Sequence, residues 1–546
     1  MREGFRQCMA WLHTWSGLVV GWVLFFVFVT GTAGYFQHDI TRWMQPERVA
    51  SAATQATPEE TRRMVRLAMD RLEQVAPAAA SWRITLPHDA PALGGWQALA
   101  IRWESMPQAA HERGASGSEQ LDPASGEPMP PEPQPRVTAG GRGLYRMHYV
   151  LHYMPVQWGI RLVGVCTMLM LIAIVSGVIT HKKIFRDFFT FRPGKGQRSW
   201  LDAHNAISVM ALPFFLMITY SGLVFLLFNY MPAGRDVLYG TGAANSRVFF
   251  DELLERSAHR HLPVVRPRAD AMDRLAHAEQ EWGAGQVASI TLEHLEGQAP
   301  ELVLSPVGGG GLDFGYPPTL RFDTDSGRLL AAESSPGGSA RQTQSVIFNL
   351  HEGLFAGFWG RWLYFAAGLL GCAMIATGLV LWTVKRRKHH LGSGREDAED
   401  FGLRLVERLN VATIAGLPLA VAAYFWANRL LPVDMGERAA WEFHSLFAAW
   451  LGALFFAWAR PLARAWVELL WGCCLAYALV PVVNALTTHR HLLRSVPEGD
   501  WAFAGFDLTM LGLAALCAVL ARKVQRRLAP KGLPGAPVAA AVQGAA

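Results

Sequence analysis

The sequence predicts a polytopic α-helical membrane protein of about eight transmembrane helices, with two small α+β domains outside the membrane. Three observations predict it. Apolar runs of about 20 residues, long enough to cross a hydrocarbon core of about 30 Å, recur along the 546-residue chain. The composition is 51% apolar and only 17% charged, with 20 tryptophans, an unusually apolar balance for a soluble chain. Finally, the chain repeats itself between residues 1 and 390, each copy reading as span, soluble domain, span.

Taken in order, the first apolar run (11–36) follows Arg2 and Arg6 and lacks a small-residue cleavage site, so it reads as a retained anchor within a first segment, 1–38. Residues 39–150 form the first soluble domain. Thr57-Pro58-Glu59-Glu60 reads as a helix start, with the helix running through about Val75. Strand-like runs follow at Ser81–Leu86 and Trp96–Trp103, then the turn Leu121–Glu127 and a proline-rich connector, Pro128–Pro135. The second span (157–180, within 151–181) leads into a basic loop, 182–203. The third span (205–228, within 204–230) leads into the second soluble domain, 231–345. There the pattern returns: a helix at about Pro267–Trp282, strands at Val287–Leu292 and Glu301–Leu304, and a turn at Phe322–Arg328. Gly308–Gly311 lacks the Lys-Ser/Thr of a phosphate loop and reads as a hairpin tip. The fourth span (361–383, within 346–384) precedes a second basic loop, 385–404. Four further runs (405–427, 443–459, 465–487, 501–521) form a C-terminal extension, 405–522, outside the repeat. The Ala/Pro/Gly-rich tail, 523–546, has a disordered composition.

The net charge of +6 does not point to nucleic acid, because the basic residues flank spans: Lys182, Lys183 and Arg186 after the second, Lys385 to Lys388 after the fourth, Arg522 to Arg527 after the last. By the positive-inside rule these loops and both termini are cytoplasmic, and the soluble domains face the other side. The six cysteines lie in or beside spans, none in the soluble domains, so no disulfide framework is implied. Neither CxxCH nor CxxC occurs, which excludes covalent c-type haem and zinc or iron–sulfur sites of those patterns.

The histidines carry the functional signal. His13 is followed eighteen residues later by Gly31, after Thr30, and His204 eighteen residues later by Gly222, after Ser221. His152 aligns with His351, Arg161 with Arg361, and Ser176-Gly177 with Thr377-Gly378. His13, His181 and His204 fall near one end of the spans, and His38, His148, His152 and His351 near the other. Two histidine clusters at opposite ends of four helices are the arrangement of a membrane b-type cytochrome, in which neutral imidazoles from facing helices ligate each iron. The first four spans therefore read as a four-helix haem-binding core. A two-fold relation pairs His13 with His204 and His152 with His351 as metal ligands. His148, one turn from His152, is the rival outer ligand, with His38 as a further one, and the depth of His181 suits the inner site. Gly17, Gly31, Gly34, Gly177, Gly222 and Gly378 either let a porphyrin approach the backbone or serve helix packing. Arg161 and Arg361, nine or ten residues beyond a histidine, either pair with haem propionates or reach for headgroups and acids.

These stretches resemble the PepSY-associated transmembrane family of bacterial inner-membrane proteins, among them iron-regulated membrane proteins and siderophore–iron reductases. The likeness rests on LHTWSGLVVGW at the start, SGVITHKKIFRDFFTFRPGKGQRSWLDAHN in the middle and NLHEGLF…GRWL…TGLVLW later, and covers about residues 1–390. The LDPASGE and FDTDSGR turns look like those of PepSY modules, which the resemblance places in the periplasm. It implies an enzyme with two b-type haems that reduces a periplasmic acceptor, above all a ferric siderophore, using electrons from a quinol or a separate dehydrogenase. Two rival expectations are a non-enzymatic PepSY protein that binds or regulates a periplasmic partner, and an iron-chelate transporter. No catalytic side chain is identifiable from the sequence.

Overall fold

A computed structural model describes residues 4–528 apart from 48–55, 91–94, 107–113, 130–134, 182–183, 188–191, 193, 254–261, 265–270, 295, 297–298, 308–318, 334–338, 354 and 392–400. Lys182, Lys183, the Gly308–Gly311 run, most of the proline-rich connector and residues 529–546 of the C-terminal tail lie outside the described residues, whereas 523–528, read as tail, continue the last helix. The chain divides into two compact units, residues 1–395 with 431–440, and 396–430 with 441–546.

In the first unit, α1 (Phe5–Gly34) is a 30-residue apolar helix followed by a short amphipathic α2 (Gln37–Met44). Helix α3 (Pro58–Val75) starts on a capping box: Thr57 accepts from the Glu60 amide while Glu60 accepts from the Thr57 amide, with Pro58 at the first position. Strands β1 (Ala79–Thr85), β2 (His88–Ala90), β3 (Gly95–Gln97), β4 (Ala100–Ser105) and β5 (Ser116–Gln120) follow, then α4 (Gly140–Val150) and the second span, α5 (Val156–Thr180). Helix α6 (Ile184–Asp187) is a single turn. The third span is α7 (Gln197–Met210) plus α8 (Leu212–Phe225), bent by 67° at Ala211. Pro213 accounts for the bend, since it lacks an amide proton and its ring crowds the preceding turn.

The second half repeats the plan. After α9 (Leu227–Tyr230), α10 (Ala233–Tyr239) and α11 (Ala243–Leu253) come α12 (Ala271–Trp282), strands β6 (Val287–Glu293), β7 (Glu301–Pro306), β8 (Thr319–Asp323) and β9 (Leu329–Glu333), then α13 (Ser339–Glu352) and the fourth span, α14 (Phe358–Leu391). The twin turns are built alike. Asp122 Oδ1 accepts from the Ala124 and Ser125 amides and the Ser125 hydroxyl; Asp323 Oδ1 accepts from the Asp325 and Ser326 amides and the Ser326 hydroxyl. Each turn closes on a glycine at positive φ, Gly126 at 73° and Gly327 at 68°.

The sequence predicts two α+β domains; the structure joins seven of their strands into one sheet, while β2 and β3 pair as a separate ribbon. The order of the sheet is β5-β4-β1-β6-β7-β8-β9, antiparallel throughout, with β1 of the first half paired to β6 of the second. Trp82 stands opposite Leu292, and Ile84 opposite Ile290. Alternation turns Trp82, Ile84, Ile101, Ile290, Leu304 and Phe322 to one face, where α3 and α12 cover them with Val65, Leu72 and Leu275 in a single apolar core. The sequence missed this because the alternation that marks a strand says nothing of which strand lies beside it.

In the membrane-spanning part of this unit, α1 packs against α4, α5 and α14, α7 against α14, and α8 against α5 and α13. The second unit holds α15 (Phe401–Ile414) and α16 (Gly416–Leu430), which together make one span, most of α17 (Arg438–Ala459), α18 (Leu462–Thr487), the short α19 (Leu492–Ser495) and α20 (Trp501–Leu528). A buried polar chain ties its helices: Asn428 donates to Glu442 at 2.7 Å, Arg429 to Asn484 at 2.9 Å, and Asn484 to Asp507 at 3.1 Å. Counting the bent pair as one, eight segments among the described residues are long and apolar enough to cross a membrane, matching the eight runs read from the sequence. The protein is a polytopic α-helical membrane protein with α+β regions attached.

Candidate functional site: two imidazole pairs

Helices α1, α4, α5, α7, α8, α13 and α14 bring four histidines together in two pairs. His13 on α1 and His204 on α7 have ring centroids 6.2 Å apart; His148 on α4 and His351 on α13 have theirs 6.1 Å apart. The eighteen residues from His13 to Gly31, where His148 rests, amount to about 27 Å of helix. The pairs therefore lie toward opposite ends of the bundle, that of His148 and His351 on the side of the sheet.

Each ring is held in the same way. His13 Nδ1 lies 2.7 Å from the Ala173 carbonyl, His148 Nδ1 2.7 Å from that of Val27, and His204 Nδ1 3.0 Å from that of Met374. His351 Nδ1 lies 2.9 Å from the Ser221 hydroxyl, whose own proton goes to the Met217 carbonyl, and the Ile218 carbonyl accepts from the same ring. A carbonyl oxygen only accepts, so the proton sits on Nδ1 and the neutral ring keeps its lone pair on Nε2.

Four residues after each carbonyl stands a glycine, one helical turn on and on the same face. A Cβ at Gly177 would approach the His13 ring to 3.0 Å, at Gly31 the His148 ring to 2.5 Å, at Gly222 the His351 ring to 3.1 Å, and at Gly378 the His204 ring to 3.1 Å. Before each glycine is a hydroxyl residue, Ser176, Thr30, Ser221 or Thr377. Its oxygen donates to the carbonyl four residues back and also to the one three back, which is the carbonyl that anchors the imidazole. The small residues read as porphyrin or helix contacts thus seat the imidazoles themselves. Gly17 and Gly34 do not share this role: a Cβ added at Gly17 would have nothing within 4 Å, and one at Gly34 would meet the Tyr145 ring at 3.1 Å.

The expected pair of His152 with His351 is corrected. Helix α4 ends at Val150, and the chain then turns through Leu151 at φ 59° and Tyr153 at φ 62°. His152 is thereby carried off the helix face and its ring lies against Tyr153, centroids 4.2 Å apart. His148, still in the last turn of α4, takes the place across from His351, which occupies the last turn of α13.

His181 caps the end of α5, and its buried Nδ1 has no hydrogen-bond partner among the described residues. His38, on α2 beyond the end of the first span, is held below the usual imidazole range, chiefly by burial; Arg361 and Arg142 push the same way and Asp39 opposes. The arginines depart from the propionate role. Arg361 forms an ion pair with Asp39 at 3.0 Å and lies over Phe36, while Arg161 is exposed and lies over Trp158. Neither lines the cavity beside His148 and His351. That cavity has a volume of about 310 Å³, and its walls include Gly31, Phe28, Met170, Phe225, Thr219 and Glu352. Tyr145, also in the wall, donates to Glu352 at 2.5 Å. Among the described residues no three His, Cys, Asp or Glu converge as a metal site made of protein groups alone.

Two span–domain–span halves with matched histidine seats define a class of duplicated membrane protein. Residues 10–385 match the PepSY-associated TM region, and the chain belongs to that family. It is also 26% identical over 395 residues to a Pseudomonas aeruginosa protein named "Uncharacterized protein PA4219", covering 67% of this chain and 90% of that one.

Proposed function

We propose that the protein is an oxidoreductase of the bacterial inner membrane that binds two b-type haems, one at each imidazole pair. In this reading it moves electrons from a quinol or a dehydrogenase to a periplasmic acceptor, with ferric siderophore the acceptor, so that iron is released as Fe(II). The basic loops and both termini are then cytoplasmic, and the sheet periplasmic.

The single observation that carries the reading is the common geometry of the two pairs. With Nδ1 occupied by a main-chain acceptor, each imidazole offers Nε2, and such outer contacts are what fix the tautomer and aim of metal-bound histidines. Two imidazoles sharing one metal have bonds of about 2 Å, and with about 1 Å from each nitrogen to its ring centre this gives a centroid separation of about 6 Å. The separations of 6.1 and 6.2 Å fit that span. The cavity beside His148 and His351 fits as well. It falls at the lower end of the range of about 300–1,000 Å³ for cofactor sites, and in its wall Thr219 Oγ1 is buried with no partner among the described residues.

Bound haem supplies one-electron iron chemistry. The protein's part is to hold four neutral imidazoles by carbonyls that neither titrate nor swing away. Packed side chains such as Phe28, Met170 and Phe225 keep water from the site.

The test is the visible spectrum of protein purified after expression with ample haem. A Soret band with α bands sharpening on dithionite, and two haems per chain, is the expected result. His13→Ala, His204→Ala, His148→Ala and His351→Ala each lose about one haem of the two, while His152→Ala keeps both. Colourless protein overturns the reading and favours a partner-binding role; loss of one haem in His152→Ala but not His148→Ala overturns the outer pair.

A further inference from the structure

The open face of the seven-stranded sheet carries charges that its fold does not require. One cross-strand row on that face runs Ser118, Arg102, Arg83, Thr291, Val303, Arg321, each residue directly opposite the next. Arg83 and Arg102 are exposed neighbours, and like charges placed directly across two strands repel. Arg321 is neutralised by Glu301 at 2.5 Å and faces Glu293 at 3.8 Å. Among the described residues no carboxylate forms an ion pair with Arg83 or Arg102. Arg83 Nε donates to the Thr291 hydroxyl at 3.2 Å, which leaves the terminal nitrogens of its guanidinium to other acceptors.

The duplication supplies an internal control. The pseudo-two-fold axis that exchanges β1 with β6 runs through the Ile84–Ile290 pair, so the second half's counterpart of Arg83 is Ser289 and that of Arg102 is Ser305, which stand opposite each other. The same strands therefore pair in the same register with two serines at these places. The two arginines belong to one half alone, and the sheet forms without their equivalents.

We propose that Arg83 and Arg102 form a binding site for a small polyanion bearing carboxylates, and, resting on the electron-transfer reading above, that this anion is a carboxylate-bearing ferric chelate. Two adjacent guanidinium forks match two carboxylates by charge-assisted, bidentate hydrogen bonds. The hydroxyls of Ser118 and Thr291 flank the forks in the same row. A bound anion relieves the repulsion between the arginines.

The experiment uses full-length protein in nanodiscs of zwitterionic lipid, so that no anionic headgroup competes, with ferric citrate as the probe in a direct titration. The decisive variant is Arg83→Ser/Arg102→Ser, which installs the residues the other half already carries and leaves the sheet intact by circular dichroism. Ferric citrate binds the wild type saturably, and the variant binds about tenfold or more weakly, as expected for losing a charge-assisted contact. Affinity also falls as added salt shortens the Debye length from about 30 to about 10 Å. A neutral ferric trihydroxamate binds both proteins alike. Equal binding of ferric citrate to both, or no saturable binding, overturns the site. Iron-free citrate binding as tightly as ferric citrate overturns the chelate assignment. Arginine-dependent binding by a colourless protein would leave the site standing and sink the haem reading instead.

Discussion

At Gly31 one added methyl would land 2.5 Å from His148 Nδ1, at the atom that bonds to the Val27 carbonyl. Gly31→Ala must push the imidazole out or bend α1, an overpacking cost of about 1–3 kcal/mol. On the proposed two-haem reading, the expected outcome is loss of pigment from the site near the sheet, whereas Gly17→Ala, on the same helix with open space around it, leaves haem content unchanged. Equal effects of the two would remove the glycine from the site. Residues of this kind were partly legible in the sequence. The pairing of His13 with His204, and the hydroxyl–glycine pairs one turn past each anchoring carbonyl, follow from the repeat. The choice of His148 over His152 does not, because it rests on left-handed backbone at Leu151 and Tyr153, and neither side chain announces that conformation. The usable signal is position: His148 and His351 each lie in the last turn of their helices, once the helices rather than the spans are aligned.

Among the elements, the two aspartate turns make the clearest case. Hydrogen bonds from the Ser125 backbone and hydroxyl hold Asp122 below the usual carboxylate range, and those from the backbone and hydroxyl of Ser326 do the same for Asp323. A carboxyl whose folded pKa lies below its unfolded value of about 3.9 lends stability that is present above that value and lost as pH falls through the lower one. Asp122→Ala and Asp323→Ala should therefore lower the thermal midpoint near neutral pH by similar amounts, and the gap from wild type should close in strong acid. A gap that persists in acid would mean the loss comes from packing. These turns, the capped start of α3 and the long apolar helices were all visible in the sequence because each depends on residues close together in the chain. The bend in the third span, caused by Pro213, interrupts an apolar run that is continuous in the sequence.

For the molecule as a whole, the joined sheet changes what counts as a unit. Ile84 and Ile290, from different halves, face each other in the core and are 0% and 1% exposed. A double-mutant cycle of Ile84→Ala and Ile290→Ala should give a coupling of about 0.5 kcal/mol or more, as for side chains in contact; separate domains would give none. The eight spans and the duplication were legible from apolar length and repetition, but the pairing of β1 with β6 is a long-range contact that no local pattern encodes. The C-terminal helices gave only their spans, since their buried link from Arg429 through Asn484 to Asp507 joins residues far apart in sequence.

The ownership of the four histidines has a last consequence. His13 and His148 come from the first repeat, His204 and His351 from the second, and each pair takes one ring from either. Neither repeat can complete a centre by itself. On the proposed two-haem reading, a chain cut in the loop ahead of α7 would yield two mute fragments, and pigment would return only on remixing, as in an obligate dimer whose subunits happen to share one polypeptide.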